Sequence, residues 1–223
     1  MTNSKRIINE DPYGITDTLE LFCKNFSDIK PINEQNQIKF IVKKIILIRI
    51  ILNENYIEDK WFLEGVYADL LSLLETLSLN KKRYFQFNLR SLIENMLRVL
   101  LNKKDKDKTG VRQLFYEAKT SQLSDSVSKL NNIYVKSNNF VHNNIESQLP
   151  LVRNYYELTH SKLKDKEISS MLKNLEDTCK VLDQILIITY YQGIDNIFHR
   201  RRKSLRRLIG ENNYYKYFRS DKL

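Results

Sequence analysis

Between residues 61 and 79 the apolar positions recur at three- and four-residue steps, through Trp61, Leu63, Val66, Leu70, Leu73, Leu74 and Leu77. That spacing follows the turn of an α-helix and predicts an amphipathic one. The next segment, "RYFQFNLRSLIENMLRVLL", carries a stripe of Leu89, Leu92, Ile93, Met96 and Leu100, with Asn80 placed to cap its start. Beside that stripe Arg90, Glu94 and Arg98 stand four residues apart. They stack along one ridge, as an ion ladder within the helix or as the border of a phosphate site. Residues 38–52 alternate β-branched side chains as a strand would, yet a lone strand has no partner, so the segment is read as a buried helix.

Farther along, "NKKDKDKTG" is a solvent loop, and shorter helices are expected at about 111–119 and 121–136. The segment "LVRNYYELTHSK" after Pro150 reads as helical. A long helix follows with Ile168, Met171, Leu172, Leu175, Cys179, Leu182 and Ile185 on one side. Gly193 is a candidate break before a basic C-terminal helix, and residues 1–36, with two of the prolines, read as an irregular or short-helical arm. The expected organisation is an arm at 1–36, a helical bundle at 37–198 and a basic helix or tail at 199–223. The 5 glycines and 3 prolines are too few for the turns of a multistranded β protein, while 42% hydrophobic content suffices for a core. The expectation is an all-α fold.

Charge changes the picture at one end. Of a net +10, the last 25 residues hold nine Lys/Arg against two Asp/Glu. Within "HRRRKSLRRL", Arg200, Arg201, Arg202, Lys203, Arg206 and Arg207 form either a solvated face or a polyanion contact, and Tyr214, Tyr215, Tyr217 and Phe218 follow closely as rings on which bases can stack. Such an end suits RNA first, with an anionic lipid surface or an acidic protein partner as the other options. Cys23 and Cys179 lie far apart with no C-x-x-C or Cys/His cluster, so no metal and no cofactor is expected. The longest apolar run, 40–52, is interrupted by Lys43, Lys44 and Arg49 and is too short to span a bilayer. No secretory leader is recognised, and a soluble, cytoplasmic protein is expected.

Three histidines, His142, His160 and His199, are the residues able to both take and give a proton near neutrality. His199 opens the arginine run and reads as surface. His142 follows an unusual stretch, "YVKSNNFVHNN". The pattern Tyr134, Ser137, Asn138, Asn139, Phe140, Val141, His142, Asn143 resembles the motif of the HEPN superfamily, all-helical domains of prokaryotic defence and toxin systems. In that motif an arginine, often followed by asparagine, precedes a histidine with four to six residues between them, commonly as R-N-x-x-V-H. Asn138, Val141 and His142 match, and Ser137 stands where the arginine would be. The helix of "LRSLIENMLRVLL" is similar to the superfamily's charged helix beside the motif, and the resemblance spans roughly residues 60–195.

The resemblance implies metal-independent RNA cleavage in a homodimer, with His142 moving protons during attack of a ribose 2′-OH and a cation holding the phosphate. Lys136, Arg90 or Arg98 would then supply the charge that Ser137 lacks, although an ammonium does not reproduce a guanidinium fork. A rival pair lies in "RNYYELTH", where Arg153 and Asn154 precede His160. On a helix, the seven steps from Arg153 to His160 leave the two side chains roughly 20° apart and about 10 Å along the axis, so a phosphate would bridge them. Ordinary roles compete throughout: His142 closing a helix end, His160 packed in a helix. The alternative to an RNA-binding or RNA-cleaving domain is a non-enzymatic module. It would assemble with a larger effector or an antitoxin and contact nucleic acid through its basic C-terminus.

Overall fold

The computed structural model describes residues 11–26, 32–54, 59–142 and 163–218, with the side chains of Ile32, Asn33, Val141 and His142 outside that description. Helices account for 81% of the described residues, and no strand occurs among them, so the fold is all-α. In chain order they are α1 (Ile15–Asn25), α2 (Ile32–Leu52), α3 (Trp61–Ser78), α4 (Lys82–Leu100), α5 (Val111–Ala118), α6 (Ser124–His142), α7 (Asp165–Phe198), α8 (Arg202–Ile209) and α9 (Glu211–Tyr217).

Two compact units divide them, one made of Met1–Glu58 with Leu186–Leu223, the other of Asp59–Ile185. These units cut across the divisions that composition suggests. The reason is visible in α2 and α8. Ile38, Ile41, Val42, Ile45, Leu47, Ile48 and Ile51 are buried, and a helix apolar on all sides needs cover all round. The narrow apolar edge of the basic segment, Leu205, Leu208 and Ile209, is buried as well, and α8 packs on α2. Lys44 of α2 is fully buried and donates from Nζ to the carbonyl of Leu208 at 2.8 Å, meeting one of the α8 carbonyls that has no partner inside its own helix. The basic C-terminus is thus a packed part of the first unit.

In the second unit α3 packs against α4, and α4 against α5 and α6. Most of each predicted stripe is buried, Leu63, Val66, Leu70, Leu73, Leu74 and Leu77 on α3 and Leu89, Leu92, Ile93 and Met96 on α4, while Leu100 is only half-buried, Trp61 is exposed and Phe62 takes its inward place. Asn80 does not cap α4. It adopts φ 56°, a left-handed conformation that asparagine tolerates, and the backbone bonds Asn80 N to Leu77 O and Lys81 N to Thr76 O close α3 instead. Leu123 just ahead of α6, and Val127, Leu130, Tyr134 and Ser137 on it, are buried at steps of four and three, and the helix carries the Asn-rich motif to His142, nearly two turns beyond the end expected from sequence. The first part of α7 buries Met171, Leu172, Leu175, Cys179, Leu182 and Ile185 as expected, with Ile168 only half-buried. Ser126 of α6 donates to Gln184 Oε1 at 2.7 Å, and Lys82 of α4 pairs with Glu167 at 2.6 Å. Gly193 does not break α7. The helical dihedrals lapse at Tyr190 (φ −117°, ψ 25°) and resume to Phe198, because Ile194 and Phe198 are fully buried and their packing outweighs the roughly 1 kcal/mol that a helical glycine costs.

Candidate nucleic-acid interface

A groove of about 630 Å3 opens in the second unit between α4, α5 and α6. Arg90 reaches it from α4, Arg112, Tyr116 and Lys119 from α5 and its C-terminal end, and Asn131 and Asn138 from α6. Its shape follows from α5. Leu114, Phe115 and Ala118 are buried, so the opposite face, at the four- and three-residue steps Arg112, Tyr116 and Lys119, is turned to solvent. Tyr116 is 70% exposed. Neither Arg112 nor Lys119 has an ion-pair partner among the described residues, and no carboxylate lines the groove among them. The one acid on α5, Glu117, is held elsewhere by Lys103 at 2.8 Å and by Gln113 Nε2 at 3.0 Å, contacts that lower its pKa.

Two of the lining residues, Arg90 and Tyr134, join a polar cluster with Glu94 behind the groove. Arg90 Nη2 donates to the Tyr134 hydroxyl at 3.2 Å, and that hydroxyl donates to Glu94 Oε1 at 2.9 Å. The guanidinium also lies 5.3 Å from the centre of the Tyr134 ring, and Phe115 meets the same ring edge-on at 5.5 Å. Burial pushes the Tyr134 phenol above its ordinary pKa, with Arg90 opposing and Glu94 reinforcing the shift. The phenol therefore stays protonated and keeps donating to Glu94.

The ladder of Arg90, Glu94 and Arg98 divides at this point. Arg98 is drawn to the following loop, with Nε 3.5 Å from Asp107 Oδ2 and Nη2 donating to Thr109 O at 3.2 Å; it retains Glu94 at 3.8 Å and lies over Phe62. Arg98 secures the loop and does not line the groove. Lys136 is exposed and also lies outside it. Ser137 is only 2% exposed, on the α6 seam, so the motif's arginine position is inside the packing. His142 is the last residue of α6, four beyond Asn138; Arg153 and His160 lie outside the described residues.

The six candidate cations of the C-terminus are in the first unit and are largely engaged. Arg202 pairs with Asp195 at 2.6 Å and Arg206 with Glu211 at 3.4 Å. Arg207 meets Asp11 at 3.5 Å and donates to Thr16 Oγ1 at 2.9 Å, and Arg201 lies over the Tyr13 ring. Arg200 and Lys203 are exposed without an ion pair among the described residues. Of the tail aromatics, Phe218 is buried and stacks on Tyr191 at 5.1 Å.

Sequence reasoning did not single out Arg112, Tyr116 or Lys119. The signal that finds them is their spacing of four and three opposite Leu114, Phe115 and Ala118. No group of His, Cys, Asp and Glu able to hold a metal ion occurs among the described residues, and none of their helices is long and apolar enough to cross a membrane. No protein-family model, curated protein or solved structure matches this chain.

Proposed function

We propose that the protein binds single-stranded RNA in the groove between α4, α5 and α6. The observation that supports this reading is the pair of exposed cations Arg112 and Lys119 on a groove that no carboxylate lines among the described residues, with Arg90 at its edge and an exposed Tyr116 ring beside them. Cations attract the phosphate backbone, an open aromatic face stacks a base, and the amides of Asn131 and Asn138 offer donors and acceptors to base edges. The resemblance of the α6 motif to HEPN domains extends the reading to metal-independent cleavage. In that scheme Arg90 holds the phosphodiester, and His142 takes the 2′-OH proton and returns one to the leaving 5′-oxygen. As in that superfamily, the active form is a homodimer in a prokaryotic defence or toxin-type system.

A second reading, a non-enzymatic module that grips RNA for a larger effector, draws on Ser137. A buried serine stands where the motif carries its arginine, and a phosphate held by Arg90 alone has less charge stabilisation during cleavage.

The experiment is RNA incubated in EDTA with the wild-type protein, His142→Ala and Arg112→Ala/Lys119→Ala, with binding and cleavage followed separately. Binding that weakens in the double variant supports the groove. Cleavage that His142→Ala abolishes without loss of binding supports the enzyme, and binding without cleavage in wild type supports the module. Wild-type RNA affinity unchanged in the double variant overturns the reading.

A further inference from the structure

A second cavity, of about 560 Å3, lies within the first unit, between the entry to α1, α2, α8 and the start of α9. We propose that it binds a phosphomonoester group, gripped by Lys43, Lys203, Arg206 and Arg207. All four side chains line the cavity, against two carboxylates, Asp11 and Glu211. Those two are already committed. Asp11 accepts from Ile15 N at 2.9 Å through Oδ1 and from Thr16 N and Thr16 Oγ1 at 2.6 Å through Oδ2, and the same Oδ2 faces Arg207. Glu211 is paired to Arg206.

Lys43 and Lys203 are left without a carboxylate among the described residues. Lys43 is half-buried, and burial first, then Lys44, Arg207 and Lys39, depress its pKa. A cavity that crowds cations around a partly desolvated ammonium lacks a counter-charge, and a dianion supplies it. Two arginine forks and two ammonium groups suit the three terminal oxygens of a phosphomonoester.

The lining also separates this site from the groove in the second unit. Among the described residues the cavity presents no aromatic ring and no side-chain amide, so a nucleobase finds nothing to stack on and no amide edge to read. The hydroxyl of Ser204 is its neutral side-chain donor besides Thr16. The site therefore takes the phosphate and not the base, as a free or small-molecule phosphate or as the terminal phosphate of a nucleic acid. The inference does not depend on the groove.

The test is isothermal titration of the full chain at fixed ionic strength, with chloride as the balancing anion. The probes are inorganic phosphate, adenosine monophosphate, and one short RNA with either a 5′-phosphate or a 5′-hydroxyl. Wild type is expected to bind inorganic phosphate, and Lys203→Ala and Lys43→Met are each expected to weaken it about tenfold, the loss of one charge-assisted contact. Arg112→Ala/Lys119→Ala leaves phosphate binding unchanged, so failure of the groove reading and failure of this one are distinguishable. In that double variant, tighter binding of 5′-phosphorylated than 5′-hydroxyl RNA identifies a nucleic-acid end as the ligand; equal affinities for phosphate and adenosine monophosphate, with no preference between the RNAs, identify a small-molecule ligand. Absence of phosphate binding by wild type, or affinity unchanged in the exposed Lys203→Ala variant, overturns the proposal.

Discussion

Arg90 donates to the hydroxyl of Tyr134 at 3.2 Å, across forty-four residues of sequence, and so ties α4 to α6 behind the groove. The same hydroxyl donates its own hydrogen bond to Glu94, which leaves one phenol serving both an arginine and a carboxylate. Tyr134→Phe keeps the ring against Phe115 and removes both bonds. The expected cost is about 1–3 kcal/mol, from two partly buried charged groups losing their shared partner, read as a lower urea midpoint at unchanged m.

Arg112 and Lys119 are exposed and unpaired among the described residues, so their removal acts on binding and not on folding. Each phosphate contact on a single strand contributes about 0.7 to the slope of log K against log salt, and Arg112→Ala/Lys119→Ala is expected to flatten that slope by about 1.4. Tyr116→Ala should leave the slope unchanged and cost about 1–3 kcal/mol of RNA affinity through lost stacking. Fluorescence anisotropy across a salt series separates the two effects.

Asp11 caps α1 from three residues ahead of its formal N-terminal boundary, where Gly14 takes φ 60° and brings no side chain. Burial pushes the Asp11 carboxyl up, and the bonds from Thr16 and Ile15 together with Arg207 outweigh it, so its pKa falls below the ordinary 3.8. A depressed carboxyl pKa stabilises the fold at pH above the unfolded value, and that stability disappears as pH falls through the folded value. Asp11→Asn is therefore expected to cost about 1 kcal/mol at neutral pH. Its gap from wild type should close below about pH 3.8, as thermal melts across pH 2–7 would reveal.

Gly65 on α3 is a close approach. A Cβ there would lie 2.7 Å from Asn95 Nδ2, the atom that donates to Asp69 Oδ2 at 2.8 Å. Alanine favours a helix over glycine by about 1 kcal/mol, but displacing Asn95 strips a bond worth about 1.5–3 kcal/mol from a half-buried carboxylate. The expected net effect of Gly65→Ala is destabilisation of about 0.5–2 kcal/mol, measurable by chemical denaturation. Asn95→Ala in the same background should remove the clash and recover the helical advantage.

Much of the architecture was readable from the chain itself, because helical burial is periodic. The stripes on α3 and α4 and the one on the first part of α7 repeat at the pitch of the helix, and a periodic signal survives without knowledge of the partner. The ends of helices read less well. Asn80 closes α3 instead of opening α4, and α7 runs through Gly193, since local preferences of about 1 kcal/mol yield to buried Ile194 and Phe198. The motif helix was legible to about residue 136, but neither its continuation to His142 nor the inward position of Ser137 was, since both depend on the seam that α6 presents to α4.

Sequence alone determined that this protein is built of helices, that its positive charge concentrates at the C-terminus, and which residues carry transferable protons. Only the tertiary structure decided which cations are spent and which are available. It turned Arg98 to the Asp107 loop and Arg202 to Asp195, and left Arg112, Lys119, Lys43 and Lys203 without carboxylates among the described residues. The reason is physical: hydrophobic periodicity is local to a helix, whereas charge pairing depends on distances of a few ångströms between segments that lie up to nearly two hundred residues apart.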